Sequence, residues 1–365
     1  MKATQQLREL GQSLWLDNIT RTLLDDGTLA RYIAQDSITG LTSNPSIFAA
    51  AIAGSEAYDA DIHTKALSGH SGENIFIELA LDDLRRAAEL FRPAFDASHH
   101  ADGWVSMEVS PLLVADTEGT VAAARQIHSL AECENLFVKI PGTWAGVPAI
   151  EEAIFLGIPI NVTLLFSREQ YLAAAAAYMR GIERRIEARR DPQVRSVASL
   201  FVSRWDVASN AKLPKELQNH LGIAIARQTY CAYRELLLSP RWQRLAAAGA
   251  QPQRLLWAST GTKDPSASET LYVNALAAPH TINTMPEKTL RAFAERGQLT
   301  GAMPMDGGNA DAVLAQIHAA GVDVAALAAT LQQEGAASFI KSWQKMLVQI
   351  QSKVSEITSA NEHTA

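Results

Sequence analysis

Eight short β-like runs alternate with longer stretches of helical spacing through most of the chain. That rhythm restricts the architecture more than any other feature, because strand–helix–strand repeats build a parallel sheet with helical crossovers. The runs are Ser13–Ile19, Gly40–Ser46, Gly103–Ser110, Leu136–Thr143, Ile158–Ser167, Ser196–Arg204, Arg254–Thr262 and His280–Pro286. Between them, Asn74–Phe95 places Ile77, Leu81, Leu84, Ala88 and Phe91 alternately four and three apart, which is one face of a helix. Ser167-Arg-Glu-Gln170 reads as a capping box, with Ser167 accepting from the first turn and Gln170 reaching back. Eight parallel strands can close into a barrel with a filled interior and no free edge. The expectation is therefore an α/β (β/α)8 TIM barrel, with an open doubly wound sheet as the alternative. Beyond Pro286 the pattern is helical only, over Glu287–Arg296, Asn309–Ala320, Val324–Glu334 and Ala336–Ile357, and these helices are expected to pack on the outside or end of the barrel. The polar or small residues Thr358–Ala365 are expected to be loose. The reading is one domain over residues 1–365, with barrel strands from about 13 to 286 and C-terminal helices from about 287 to 357.

Strand parity then separates two kinds of side chain. Outward positions of a barrel strand are covered by helices and are apolar, and alternate positions face the interior. In Val105-Ser-Met-Glu-Val109 the polar parity is Ser106 and Glu108; in Leu136-Phe-Val-Lys-Ile140 the inward pair is Phe137 and Lys139. Trp15 and Asp17 are inward in Leu14-Trp-Leu-Asp-Asn18, as are Asn161 and Thr163 in Ile160-Asn-Val-Thr-Leu164. Thr42, Asn44 and Ser46 form a further polar set, and Leu255, Trp257 and Ser259 share a side. Each buried polar group loses hydration and must find a partner. A polar set of this size near strand ends fits a site better than packing, since barrel active sites lie at that face. The competing structural reading is an ion pair of Lys139 with Asp17 or Glu108 that only fixes the barrel register.

A lysine walled by Phe137 and other apolar groups loses stabilisation of its charged form, and a neutral amine attacks ketones. Imine formation also needs a proton shuttle, which a water held by Glu108 and Thr163 would supply. Asp17, from another strand, is placed to exchange the proton of a hydroxyl beside a breaking carbon–carbon bond. Asn44 and Asn161 are neutral groups suited to holding the hydroxyls of a three-carbon fragment. For a phosphate, Arg204 stands at the expected end of the sixth strand, five residues after Ser199, and Lys263 follows Ser259-Thr-Gly-Thr262. An ordinary surface charge is the alternative reading of both.

A net charge of −7 without a basic block argues against nucleic acid or an anionic membrane as partner. Met1 to Leu7 lacks the apolar stretch of a signal peptide, and the most apolar segment, Tyr171 to Met179, is short, Ala-rich and followed by Arg180. Cys133 and Cys231 have no metal-ligand or disulfide-framework spacing. A cytoplasmic location is expected. The adjacent His99 and His100 lack an accompanying carboxylate–histidine cluster, so no metal is expected. Gly307-Gly308 has neither the lysine nor the spacing of a nucleotide loop.

The segments Leu14-Trp-Leu-Asp-Asn18, Gly40-Leu-Thr-Ser-Asn-Pro-Ser46, Val105-Ser-Met-Glu108, Val138-Lys-Ile-Pro-Gly-Thr143, Ile160-Asn-Val-Thr-Leu-Leu-Phe-Ser167 and Ser199-Leu-Phe-Val-Ser-Arg204 resemble, in order, the motifs of the transaldolases. The resemblance covers about residues 5–345. It implies Lys139 as the Schiff-base lysine, Asp17 as general acid/base, and Glu108 with Thr163 as the water-holding pair. Asn44 and Asn161 would hold the dihydroxyacetone moiety, and Ser199, Arg204 and Ser259 would line the phosphate end. The implied reaction converts sedoheptulose 7-phosphate and glyceraldehyde 3-phosphate into erythrose 4-phosphate and fructose 6-phosphate, with no metal or organic cofactor. The related alternatives are a fructose-6-phosphate aldolase-like enzyme that releases free dihydroxyacetone, and a non-catalytic barrel that binds sugar phosphates. One departure stands out. Many members carry an arginine two residues after the equivalent of Ser259, where this chain has Gly261; Lys263 is the expected substitute. The Ser-Thr-Gly-Thr-Lys run is similar to that of a longer bacterial subfamily, some of whose members are fused to glucose-6-phosphate isomerase, so a functional or fused link to that enzyme is implied.

Overall fold

The computed structural model describes residues 1–70 and 72–362, with side chains of the last helix described to residue 356. Its strands are β1 Ser13–Asp17, β2 Ile38–Thr42, β3 Val105–Glu108, β4 Leu136–Pro141, β5 Ile160–Leu165, β6 Ser196–Phe201, β7 Arg254–Ala258 and β8 Ile282–Met285. Seven of the expected runs contain one of them; the run Gly40–Ser46 only overlaps β2, which begins two residues earlier, at Ile38. The observed strands are shorter because polar residues at their C-terminal ends leave the ladder: Asn44 caps the helix Pro45–Ala53, and Ser203 already begins the helix Ser203–Ser209. Ser167 accepts from Gln170 N as expected, while the Gln170 side chain reaches back one residue further, to Phe166 N.

All neighbouring strands pair in parallel, in the order β2-β1-β8-β7-β6-β5-β4-β3. The two ends of that order meet: Gly103 N donates to Thr39 O and Leu41 N to Trp104 O, at 2.8 and 2.9 Å. This closes a TIM barrel and rules out the open sheet. Closure depends on Gly40, because a methyl group there would come within 2.7 Å of both Trp104 O and the Trp15 indole. The N-terminal half of the interior is filled. Trp15 and Trp104 pack on Phe137 with ring centroids 6.2 and 4.0 Å apart, and Asp102 accepts from Ser13, Thr39 and Trp15 Nε1. Arg254 adds bonds to Ser13 Oγ and Ala101 O. The remaining inward polar side chains therefore gather at the C-terminal end.

The helices Glu287–Arg296 and Ala310–Ala319 follow the barrel as expected, but Val324–Glu334 and Ala336–Ile357 are not separate helices. A single helix, Val324–Glu362, runs through Gly335 for 39 residues, a length of about 60 Å. Glycine costs a helix about 1 kcal/mol relative to alanine, yet here the buried stripe Leu331, Phe339, Trp343, Met346 and Ile350 continues across it, and burial of that stripe outweighs the local preference. The helix lies over the barrel mouth, where Gln332 Nε2 donates to Gly142 O and Leu164 O at the ends of β4 and β5, and Ser342 meets Ser46. Of the expected loose segment from Thr358, residues up to Glu362 belong to this helix and the last three lie outside the described residues. Among the described residues, no single helix is long and apolar enough to cross a membrane.

Candidate active site

The ladder itself assembles the polar end. Asp17 pairs in register with Thr42, Glu108 with Lys139, Lys139 with Asn161, and Pro141 with Thr163. Lys139 is buried, and its Nζ donates to Ser43 O at 2.8 Å while standing 3.4 Å from Glu108 Oε2. The acceptor is fixed in turn, because Ser43 Oγ donates to Ser106 O across the β2–β3 seam. Burial pushes the Glu108 carboxyl above its ordinary pKa, against the pull of Lys139, and neither Glu108 oxygen has a hydrogen-bond partner among the described residues. The buried Thr163 hydroxyl is likewise unpartnered. Burial also raises Asp17, opposed by Lys139 and by a 2.8 Å hydrogen bond from Thr42 Oγ1. Thr42 itself meets Thr284 of β8 at 2.6 Å.

Lys139, Thr163, Asp17, Thr42 and Thr284 border a cavity of about 100 Å3. Its walls carry six of the expected residues besides Thr163: Asp17, Asn44, Lys139, Ser199, Arg204 and Ser259. Glu108 and Asn161 are off the wall, the first reaching it through Lys139 and the second through Ser199, whose Oγ donates to Asn161 Oδ1 at 2.7 Å. Asn161 Nδ2 donates to Ser106 Oγ, so its amide is held between neighbours. Asn44 uses Oδ1 to cap its helix, accepting from Ser46 N and Ile47 N at 3.0 and 3.1 Å, which leaves its amide nitrogen for a ligand. Ser46, from the same polar set, turns instead to Ser342.

Parity explains most of this wall and fails at Ser259. Leu255 and Trp257 face outward, Trp257 Nε1 donating to Leu276 O, whereas Ser259 borders the cavity and meets Ser203 Oγ at 2.9 Å. Its φ of 56° breaks the strand alternation and turns the side chain inward. Arg204 stands in the first turn of Ser203–Ser209, beyond the end of β6 at Phe201, and not on the strand. Its guanidinium makes no hydrogen bond or ion pair among the described residues and lies 5.2 Å from the Phe201 ring and 5.9 Å from the Phe339 ring. Lys263 is exposed and is not on the cavity wall, though its charge reaches Asp17. Gly261 is buried, and a Cβ there would press on Pro286 at 3.1 Å. Sequence reasoning missed Thr284, Phe201 and Phe339 as wall residues. Thr284 has the inward parity of β8, a signal that was available; Phe339 has none, since it comes from the distant C-terminal helix.

Over nearly its whole length the sequence is similar to known proteins. Residues 14–350 match the family described as Transaldolase/Fructose-6-phosphate aldolase. The chain belongs to this family. A transaldolase of Thermobifida fusca is 45% identical over 354 residues, covering 94% of this chain and 96% of the relative. One from Thiobacillus denitrificans is 44% identical, covering 96% and 100%, and "Transaldolase 2" of Nostoc punctiforme is 38% identical, covering 96% and 97%. The span matched by the transaldolase/fructose-6-phosphate aldolase family contains every cavity-wall residue, Phe339 included. His99 and His100 take no part in the site: His100 stacks on Phe95 at 4.1 Å and His99 O accepts from Arg195. No three His, Cys, Asp or Glu side chains form a metal-ligand group among the described residues.

Proposed function

We propose that the chain is a transaldolase of the pentose phosphate pathway that carries a dihydroxyacetone unit on Lys139. The observation that carries this reading is the placement of Lys139 Nζ on a small cavity, anchored to Ser43 O at 2.8 Å, with Asp17 on the same wall and Glu108 3.4 Å away. An ion pair serving only barrel register would have no need of a cavity beside it or of unpartnered oxygens on Glu108 and Thr163.

The neutral Lys139 amine attacks C2 of sedoheptulose 7-phosphate to give a carbinolamine. Protonation of its hydroxyl through a water bridging Glu108 and Thr163 expels water and leaves the iminium. Asp17, on the same wall as Lys139 and made more basic by burial, takes the proton of the C4 hydroxyl. The C3–C4 bond then breaks, its electron pair passes into the iminium to form an enamine, and erythrose 4-phosphate leaves. Glyceraldehyde 3-phosphate accepts the enamine carbon while Asp17 returns the proton to the new hydroxyl, and hydrolysis of the imine releases fructose 6-phosphate. The imine is the electron sink, so this chemistry asks for no metal or organic cofactor. Asn44 holds the three-carbon unit, and Asn161 acts on it through Ser199, from whose hydroxyl it accepts; Ser199, Arg204 and Ser259 line the phosphate end, and Lys263 contributes long-range positive charge. The partners in this reading are sugar phosphates, with neither nucleic acid nor membrane. A cytoplasmic location fits the free thiols of Cys133 and Cys231. A link to glucose-6-phosphate isomerase fits the product, which that enzyme consumes.

Borohydride reduction with fructose 6-phosphate is expected to fix a three-carbon adduct on the peptide holding Lys139, read by mass. An adduct on another lysine, or none, overturns the proposal. Turnover of fructose 6-phosphate that depends on added erythrose 4-phosphate supports transfer; equal release of free dihydroxyacetone without an acceptor supports the aldolase reading.

A further inference from the structure

We infer that Phe339 and Gly335 of the C-terminal helix are positioning residues for Arg204, setting the guanidinium that meets the substrate phosphate; this rests on the sugar-phosphate reading above. Gln332, Gly335 and Phe339 fall at spacings of three and four, so they share one helix face, and it is the face turned to the barrel mouth. Gln332 fixes that face by its bonds to Gly142 O and Leu164 O at 3.1 and 3.0 Å. One turn on, Gly335 is buried, and a Cβ added to it would stand 3.1 Å from Arg204 Nη1 and 2.9 Å from Leu164 Cδ2. Glycine here lets the helix approach until the guanidinium fills the space a side chain would take. A further turn on, Phe339 is buried, borders the cavity, and brings its ring within 5.9 Å of Arg204 Cζ, inside cation–π range.

The cage has a purpose in this chain. Among the described residues Arg204 has no carboxylate in ion-pair contact to orient it, Glu108 and Glu334 acting only at longer range. Gly261 supplies no second cation, and Lys263 is exposed away from the wall. A single guanidinium must then be held by shape. Two aromatic rings and a glycine gap hold it without neutralising it, which leaves its donors free for phosphate oxygens.

The test measures the concentration that half-saturates borohydride trapping, with fructose 6-phosphate and with unphosphorylated dihydroxyacetone, together with the inhibition constant of inorganic phosphate. Phe339→Ala is expected to raise the fructose 6-phosphate and phosphate values about tenfold, the scale of a partly desolvated cation–π contact, and to leave dihydroxyacetone unchanged; Phe339→Tyr restores both. Gly335→Ala serves as the second variant, because its Cβ crowds Nη1 and Leu164 Cδ2 while alanine's helix preference offsets part of that cost; phosphate affinity is expected to fall, with a single cooperative thermal transition showing that the variant folds. Equal shifts for both trapping probes, or an unchanged phosphate constant in both variants, overturn the inference. Failure of the wild-type enzyme to form any Lys139 adduct would instead overturn the functional reading on which it stands.

Discussion

The buried carboxyls of the site are where single residues have the largest separable effects. Asp17 is raised by burial more than Lys139 and Thr42 lower it, so its folded pKa lies above the unfolded value of about 3.9. A group shifted in that direction stabilises the fold below the unfolded pKa, and the contribution is lost as pH rises through the folded pKa. Asp17→Asn keeps the position neutral and removes that loss. The Tm difference, variant minus wild type, is expected to be flat at low pH and to grow as pH rises through the folded-state pKa of Asp17; a difference independent of pH would show that Asp17 ionises without penalty. Activity is expected to move the other way. Losing a positioned proton-transfer group lowers turnover roughly 10²–10⁴-fold, while the trapped Lys139 adduct with dihydroxyacetone persists because imine formation does not use Asp17. Equal loss of adduct and turnover would assign Asp17 an earlier role.

Among the elements, the β2–β3 seam is the most demanding joint, as two backbone bonds there convert an ordered sheet into a barrel. Gly40→Ala forces a methyl to within 2.7 Å of Trp104 O and of the Trp15 indole, contacts that overpack a core by about 1–3 kcal/mol. Urea unfolding is expected to show a lower midpoint with an unchanged slope, and a wild-type midpoint would mean that the seam relaxes without strain. The strands were legible because period-two alternation separates helix-covered from interior positions, and Lys139, Asp17, Glu108 and Thr163 all followed from it. What escaped was set by geometry outside that period. Ser259 reaches the cavity through a left-handed backbone at the end of β7, which parity cannot anticipate. Arg204 belongs to a helix that starts immediately after β6. Gly335 reads as a helix break, yet burial on both sides carries the helix through it.

For the molecule as a whole, the C-terminal helix is a structural part of the barrel's active end. Phe48 of Pro45–Ala53, Phe76 of Gly72–Ala97 and Trp343 of the C-terminal helix meet edge to face, with centroids 5.3 and 5.0 Å apart. They tie the cap of Asn44, the long helix preceding β3 and the cover of the site into one apolar contact. Lys353 adds an ion pair to Asp59 in Asp59–Leu67. If residues 1–365 fold as one domain, damage at Trp343 lowers the stability of the barrel and not only of its cover. Trp343→Ala empties a fully packed position and is expected to destabilise by about 3–5 kcal/mol, with calorimetric and van't Hoff enthalpies still equal and one transition in the scan. Trp343→Phe retains the edge contact to Phe76 and removes an indole N–H that has no partner among the described residues, so its effect should be much smaller. Two resolved transitions in Trp343→Ala, with the barrel melting at its wild-type temperature, would show instead that the helix is an independently stable cover.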